Sequence, residues 1–192
     1  GKKPKHIEIK KKNLETIEER GDIDQAHMVF AAHAPLATDK KKYVLDVLDS
    51  HLANGMSSKL FLEIREKRGL AYAIKSALNA EKNYSYYSIY VGTTKEAIPE
   101  VKKLIIEGFK NIEKISEKEF EEAKESLIGL RKVSSEESIN VMRELIITEI
   151  SAGNAEEYYQ YDEKIKKVTL QEVKSLAKEL IKKYSIATIV PK

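Results

Sequence analysis

A chain of 192 residues with 42% hydrophobic content is long enough for one substantial core or two small ones. The absence of Cys excludes disulfides, Cys–zinc sites and thiol nucleophiles in one step. No apolar run approaches the ~18–20 residues needed to cross a bilayer, and 34 Lys and Arg against 31 Asp and Glu suit a soluble protein without the electrostatic footprint of a nucleic-acid or membrane binder.

Residues 1–24 are rich in Lys and Glu, with a weak alternation at Ile7 and Ile9. They read as an edge strand followed by a charged connector between domains, closed by Gly21 and Asp22; residues 25–192 form the domain proper. Gly1 in place of Met reads as a cut end, and no signal-peptide pattern is visible, which favours a cytoplasmic setting. The basic runs Lys10–Lys12 and Lys40–Lys42 lack the interleaved aromatics of a single-strand binder and read as solvated faces. The bias toward Lys, Glu and Ile, with no Cys or Trp, points to a thermophilic source.

Gln25–Ala34 is a short apolar run ending at Pro35, the length of a buried strand. Thr38 and Asp39 are N-cap candidates for a helix through Val44, Leu45, Val47, Leu48 and Leu52. Ser57 or Ser58 then caps a shorter helix carrying Leu60, Phe61 and Ile64, stopped by Gly69. Strands follow at Ala71–Ala80 and Tyr84–Gly92, joined by the polar turn Glu81–Asn83.

Beyond Thr93 the pattern is almost wholly helical. A helix spans Lys95 to Lys114, with Pro99 tolerated in its first turn. Ser116 with Glu119 forms a capping box for a helix through Phe120, Ala123, Leu127 and Leu130. A further helix holds Val141, Leu145 and Ile146 and ends at Gly153, and another carries Tyr158, Tyr161 and Ile165. Thr169 with Glu172 opens the last, and Ile186–Val190 is a closing strand. Strands at both ends of the chain can share one mostly antiparallel or mixed sheet with the helices over one face, an α+β two-layer domain.

Chemistry is sparse. His6, His27, His33 and His51 have neither the spacing of a zinc helix nor an HExxH or HxxEH frame, so no metal site is expected in this chain. His27 and His33 share a strand face but lie roughly 20 Å apart. GxSxG, P-loop and GxGxxG motifs are absent, and paired acids such as Glu121–Glu122 and Glu136–Glu137 read as helix surface.

One segment stands out, GMSSKLFLEIREKRGLAY at residues 55–72. A helix whose last turn carries Arg65, stopped by Gly69, feeds a strand that opens with Tyr72. Both side chains are hydrogen-bond donors able to hold a substrate carbonyl or steady developing negative charge. On the next strand Tyr84, Tyr86 and Tyr90 alternate with Tyr87, Ile89 and Val91, so three phenols share one face. If the latter three face the helices, the phenols form an aromatic wall on the free face.

This segment closely resembles the signature of the second, non-zinc domain of M16 (pitrilysin-type) metallopeptidases: a glycine cluster, then SSRLF, IRE and GLAY. QAHMVFAAHAP resembles that domain's opening strand, YSIYVGT the strand leading into its helical half, and EFEEAKESL keeps the spacing. Together these cover residues 22–192, with residues 1–21 similar to the interdomain connector. Asn54 stands where a glycine is common and Lys59 where Arg is common, which loses a planar fork in the loop.

The resemblance implies a substrate-binding half of a zinc endopeptidase, with zinc and HxxEH on a complementary N-terminal domain or partner subunit. It implies that Arg65 and Tyr72 orient the scissile carbonyl, Tyr72 as the closer donor, and that Tyr84, Tyr86 and Tyr90 line the cavity for a peptide. The chain alone should then be inactive. The alternative is a non-catalytic M16-like scaffold or processing subunit that binds a protein partner. If the cavity face is bare, it also offers a surface for a symmetric homodimer.

Overall fold

In the computed structural model residues 12–192 are described, so the alternation at Ile7 and Ile9, and His6, lie outside the described residues. The edge strand expected around Ile7 and Ile9 is therefore outside the described residues; Leu14–Arg20, read as charged connector, forms a strand, β1. It is followed by β2 (Ala26–His33), β3 (Ala71–Ala80), β4 (Ser85–Thr93) and β5 (Tyr184–Pro191) in one sheet ordered β1-β5-β2-β4-β3. β1 pairs in parallel with β5, and every other pairing is antiparallel. The first and last described strands therefore meet in one sheet, the arrangement expected from strands near both ends of the chain.

Strict alternation decides which face is covered. β2 buries Ala26, Met28, Phe30 and Ala32 and leaves His27, Val29, Ala31 and His33 half-buried. On β4 the covered side carries Tyr87, Ile89 and Val91, all fully buried. Against these pack α1 (Lys41–Leu52), α2 (Ile98–Asn111), α3 (Glu117–Ser134) and α6 (Leu170–Leu180) through Leu45, Leu48, Ile105, Phe109, Phe120 and Leu176. α4 (Ser138–Ala152) and the short α5 (Tyr161–Lys166) complete the helical layer.

Local signals act where they were expected, with informative exceptions. Both capping boxes form: Ser116 and Glu119 exchange bonds at the start of α3, and Thr169 and Glu172 do the same for α6. Asp39 caps one step early, its carboxylate accepting from the Lys41 N–H at 2.8 Å. Ser58 caps nothing with its side chain; its hydroxyl donates back to the Gly55 carbonyl at 2.7 Å. The helix expected over Lys95–Lys114 starts at Ile98 and ends in a 3₁₀ turn at Ile112–Lys114. The helix expected through Tyr158 and Tyr161 is split into a 3₁₀ turn at Ala155–Tyr158 and α5, because Asn154 starts a separate turn by accepting from Glu156 N–H.

Candidate functional site

The segment from Gly55 to Tyr72 is a π-helical turn over Phe61–Glu66 rather than an α-helix. Its wide register appears in the Lys67 N–H bond to the Leu62 carbonyl, five residues back at 2.9 Å. Leu60 and Ile64 are buried and anchor one side to the core. On the other side Glu63 gathers the neighbouring cations: Lys67 donates to it, and Arg68 bonds both its carboxylate at 2.7 Å and its backbone carbonyl at 3.0 Å. The Lys67 and Arg68 hydrogen bonds hold the Glu63 carboxyl below its usual range.

Arg65 is left out of that cluster. It is exposed, makes no ion pair among the described residues, and rests its guanidinium carbon 5.0 Å from the Phe61 ring centroid. A planar cation lying on an aromatic face keeps its N–H fork available to a planar acceptor.

The turn between Arg65 and Tyr72 is rigidly specified. Gly69 sits at φ +63°, and a Cβ there would meet nothing within 4 Å, so the glycine answers to backbone conformation alone. Its N–H bonds the Arg65 carbonyl at 3.0 Å, and the Leu70 N–H bonds the Ile64 carbonyl at 2.9 Å, folding the chain out of the helical turn. The buried Thr93 hydroxyl donates to the Leu70 carbonyl from the neighbouring strand, fixing where β3 begins.

Tyr72 is the extra residue of a β-bulge. Ala71 pairs with Thr93 and Ala73 with Gly92, so Tyr72 has no partner of its own in β4. The bulge re-aims the side chain at the sheet's outer edge, where Tyr72 is 57% exposed and its hydroxyl has no bond among the described residues. Arg65 and Tyr72 thus stand exposed on either side of one glycine turn.

The tyrosines of β4 divide as the alternation demands. Tyr86 is exposed on the uncovered face opposite Asn79 and His33, and Tyr84 is exposed at the turn just before the strand. Tyr90 lies on the same face but is half-buried, with its hydroxyl 2.8 Å from His27 Nδ1. Behind the sheet, the fully buried Tyr87 donates to Asp49 at 2.5 Å, and Ser76 of β3 donates to the same carboxylate at 2.9 Å. Burial pushes the Asp49 carboxyl up while these two bonds oppose the rise. This network ties α1 to the two strands beside Tyr72.

Lys59, which occupies the position where Arg is common, reaches α3 by bonding Glu119 at 2.6 Å. The Lys59 bond, with help from Ser116, holds the Glu119 carboxyl down at about 2. Among the described residues no group of three or more His, Cys, Asp or Glu is placed to hold a metal ion.

Comparison with known proteins decides the lineage. The sequence profile of the peptidase M16 inactive domain matches residues 1–127. The chain belongs to the M16 peptidase family. An uncharacterised zinc protease of Mycobacterium leprae is 32% identical over 173 residues, which is 88% of this chain and 39% of that protein. A protease structure from Helicobacter pylori superposes with a TM-score of 0.84 at 18% identity, over 95% of this chain and 45% of that one. The M16 inactive domain of Pseudomonas fluorescens superposes with a TM-score of 0.77 at 21% identity, over 94% and 44%. The chain therefore spans about two-fifths of the curated relatives it matches.

Three features of this M16 domain are not visible in periodicity: the π-helical register at Phe61–Glu66, the bulge that isolates Tyr72, and the His27–Tyr90 bond. Gly92, inside β4 and opposite the bulge, is the local signal in the sequence. An isolated glycine inside a strand marks a bulge or a close approach.

Proposed function

We propose that this domain is the substrate-holding half of an M16 zinc endopeptidase, working against a zinc-bearing M16 domain or subunit that supplies the metal chemistry. Arg65 and Tyr72 are the groups that meet the substrate. The Arg65 fork and the Tyr72 hydroxyl donate hydrogen bonds to peptide carbonyl oxygens, with Tyr72 the donor nearest the scissile bond. Tyr84, Tyr86 and the face of Tyr90 offer stacking surface to an extended peptide.

One observation carries this reading: two exposed donors, neither hydrogen-bonded through its side chain nor ion-paired among the described residues, flank a turn whose geometry is fixed by Gly69 and Thr93. A side chain kept for stability would be expected to have a partner, as Glu63, Lys67 and Arg68 do.

The test is reconstitution. Mixing this chain with the zinc-bearing half should give peptide cleavage, and Tyr72→Phe should lower turnover by roughly 10- to 1000-fold. Unchanged turnover in that variant removes Tyr72 from the chemistry. A stable complex that cleaves nothing supports the scaffold reading instead.

A further inference from the structure

The uncovered face holds a hydrogen-bonded pair beside Tyr72. His27 and Gly92 are cross-strand partners, and Tyr90 belongs to the next row of the same face, opposite Val29 and Lys75. The Tyr90 phenol leans along its own strand over Gly92: a Cβ at Gly92 would stand 3.2 Å from the hydroxyl and 3.8 Å from the ring carbon bearing it. The hydroxyl meets His27 Nδ1 at 2.8 Å, and the two rings stack with centroids 6.0 Å apart at 20°. Gly92 is not among the positive-φ glycines, so it is the phenol rather than the backbone that a side chain there would crowd.

On its other side, Gly92 faces the bulge that carries Tyr72 and Ala73; a Cβ at Gly92 would lie 4.0 Å from the Ala73 methyl. The phenol therefore fills the notch between His27 and the bulge. That notch, left by the missing side chain of Gly92 opposite the bulge, is a seat onto which an exposed ring on the bulge can fold to shed water.

We propose that His27 and Tyr90 are a positioning pair for Tyr72. His27 holds the phenol over Gly92, and the phenol denies Tyr72 that seat, so the Tyr72 hydroxyl stands off the sheet where a peptide carbonyl can reach it. Neither member needs to touch the reacting bond. Without His27 the Tyr90 ring regains its rotamers and the notch opens. The inference rests on the reading of Tyr72 as a substrate donor, but its geometry can be tested separately.

Two variants remove the bond: His27→Ala, and the conservative Tyr90→Phe, which keeps the ring and the fold. His27→Asn restores an acceptor near Nδ1. With selectively ¹³C-labelled tyrosine in this chain, Tyr72 should show one χ1 rotamer in the parent and averaged rotamers in both disruptive variants, with recovery in His27→Asn. In the reconstituted pair, kcat should fall roughly 3- to 10-fold in the two disruptive variants and recover in His27→Asn. An unaltered Tyr72 rotamer in Tyr90→Phe overturns the proposal. If instead the rotamer averages while Tyr72→Phe leaves turnover intact, the positioning pair stands and the catalytic reading of Tyr72 fails.

Discussion

Adjacent tyrosines on β4 meet opposite fates. Tyr87 faces the helices, is fully buried, and gives its hydroxyl to Asp49, whereas Tyr86 faces outward at 41% exposure. The same division runs across the sheet. Among the described residues every buried side-chain oxygen or nitrogen except Ser85 Oγ has a hydrogen-bond partner. On the uncovered side and its β3 edge, the Tyr72 hydroxyl and the Arg65 fork have no such commitment. A buried polar group without a partner costs about 1–3 kcal/mol, so the covered face must be satisfied internally. An exposed group is satisfied by water and remains open to exchange for a ligand.

That contrast is sharpest in a pair of matched substitutions. Tyr72→Phe should cost the reconstituted enzyme roughly one to three orders of magnitude in turnover while leaving the thermal midpoint of this chain unchanged. Tyr87→Phe should do the reverse. It strips one donor from the half-buried Asp49 carboxylate and should lower unfolding stability by about 1–3 kcal/mol in a denaturant titration. Equal stability losses in the two variants would erase the distinction between the faces.

The turn joining the site to the core comes next in size. Gly69→Ala places a Cβ at positive φ with free space around it, so the cost is backbone strain of about 1–2 kcal/mol. The same change should weaken peptide cleavage, since the turn sets Arg65 and Tyr72 relative to each other. Full activity with lowered stability would show that the turn serves the fold alone.

A smaller effect is expected from pH on the helical side. Asp46 of α1 accepts from the Tyr161 hydroxyl at 2.9 Å, and burial pushes its carboxyl up to about 6, with that bond and Lys42 opposing. A carboxyl whose folded value is raised binds its proton more tightly when folded. Stability from this group is therefore present at low pH and is lost as pH rises from about 4, its usual value, through about 6. Asp46→Asn should flatten that part of the pH–stability curve. Unfolding titrations at pH 4, 5, 6 and 7 would show it, and an unchanged slope would contradict the assignment.

Much of this was legible in the chain. Ser116 with Glu119 and Thr169 with Glu172 announced their helices because capping is a contact over three residues. The alternation of Tyr84, Tyr86 and Tyr90 with Tyr87, Ile89 and Val91 announced the two faces, since successive side chains of a strand point to opposite sides. Arg65, Gly69 and Tyr72 were legible as a motif. The bulge was not, because it depends on how β3 registers against β4, a pairing between residues about twenty apart. The His27–Tyr90 bond spans 63 positions and leaves no local trace. Long-range register is what a one-dimensional pattern encodes least.

The position of β5 carries a consequence for the order of assembly. β5 lies between β1 and β2, so Leu14–Arg20, though the first of the described strands, has no sheet edge to join until residues 184–191 are in place. Leu14 pairs with Ser185, a loop of nearly the whole domain, and such a closure is among the slowest contacts a fold can make. The strands that build the Tyr72 bulge, β3 and β4, are joined by a short hairpin and need no such wait. During synthesis the β3–β4 hairpin with its bulge can form well before β5 emerges, whereas β1 can join the sheet only after β5.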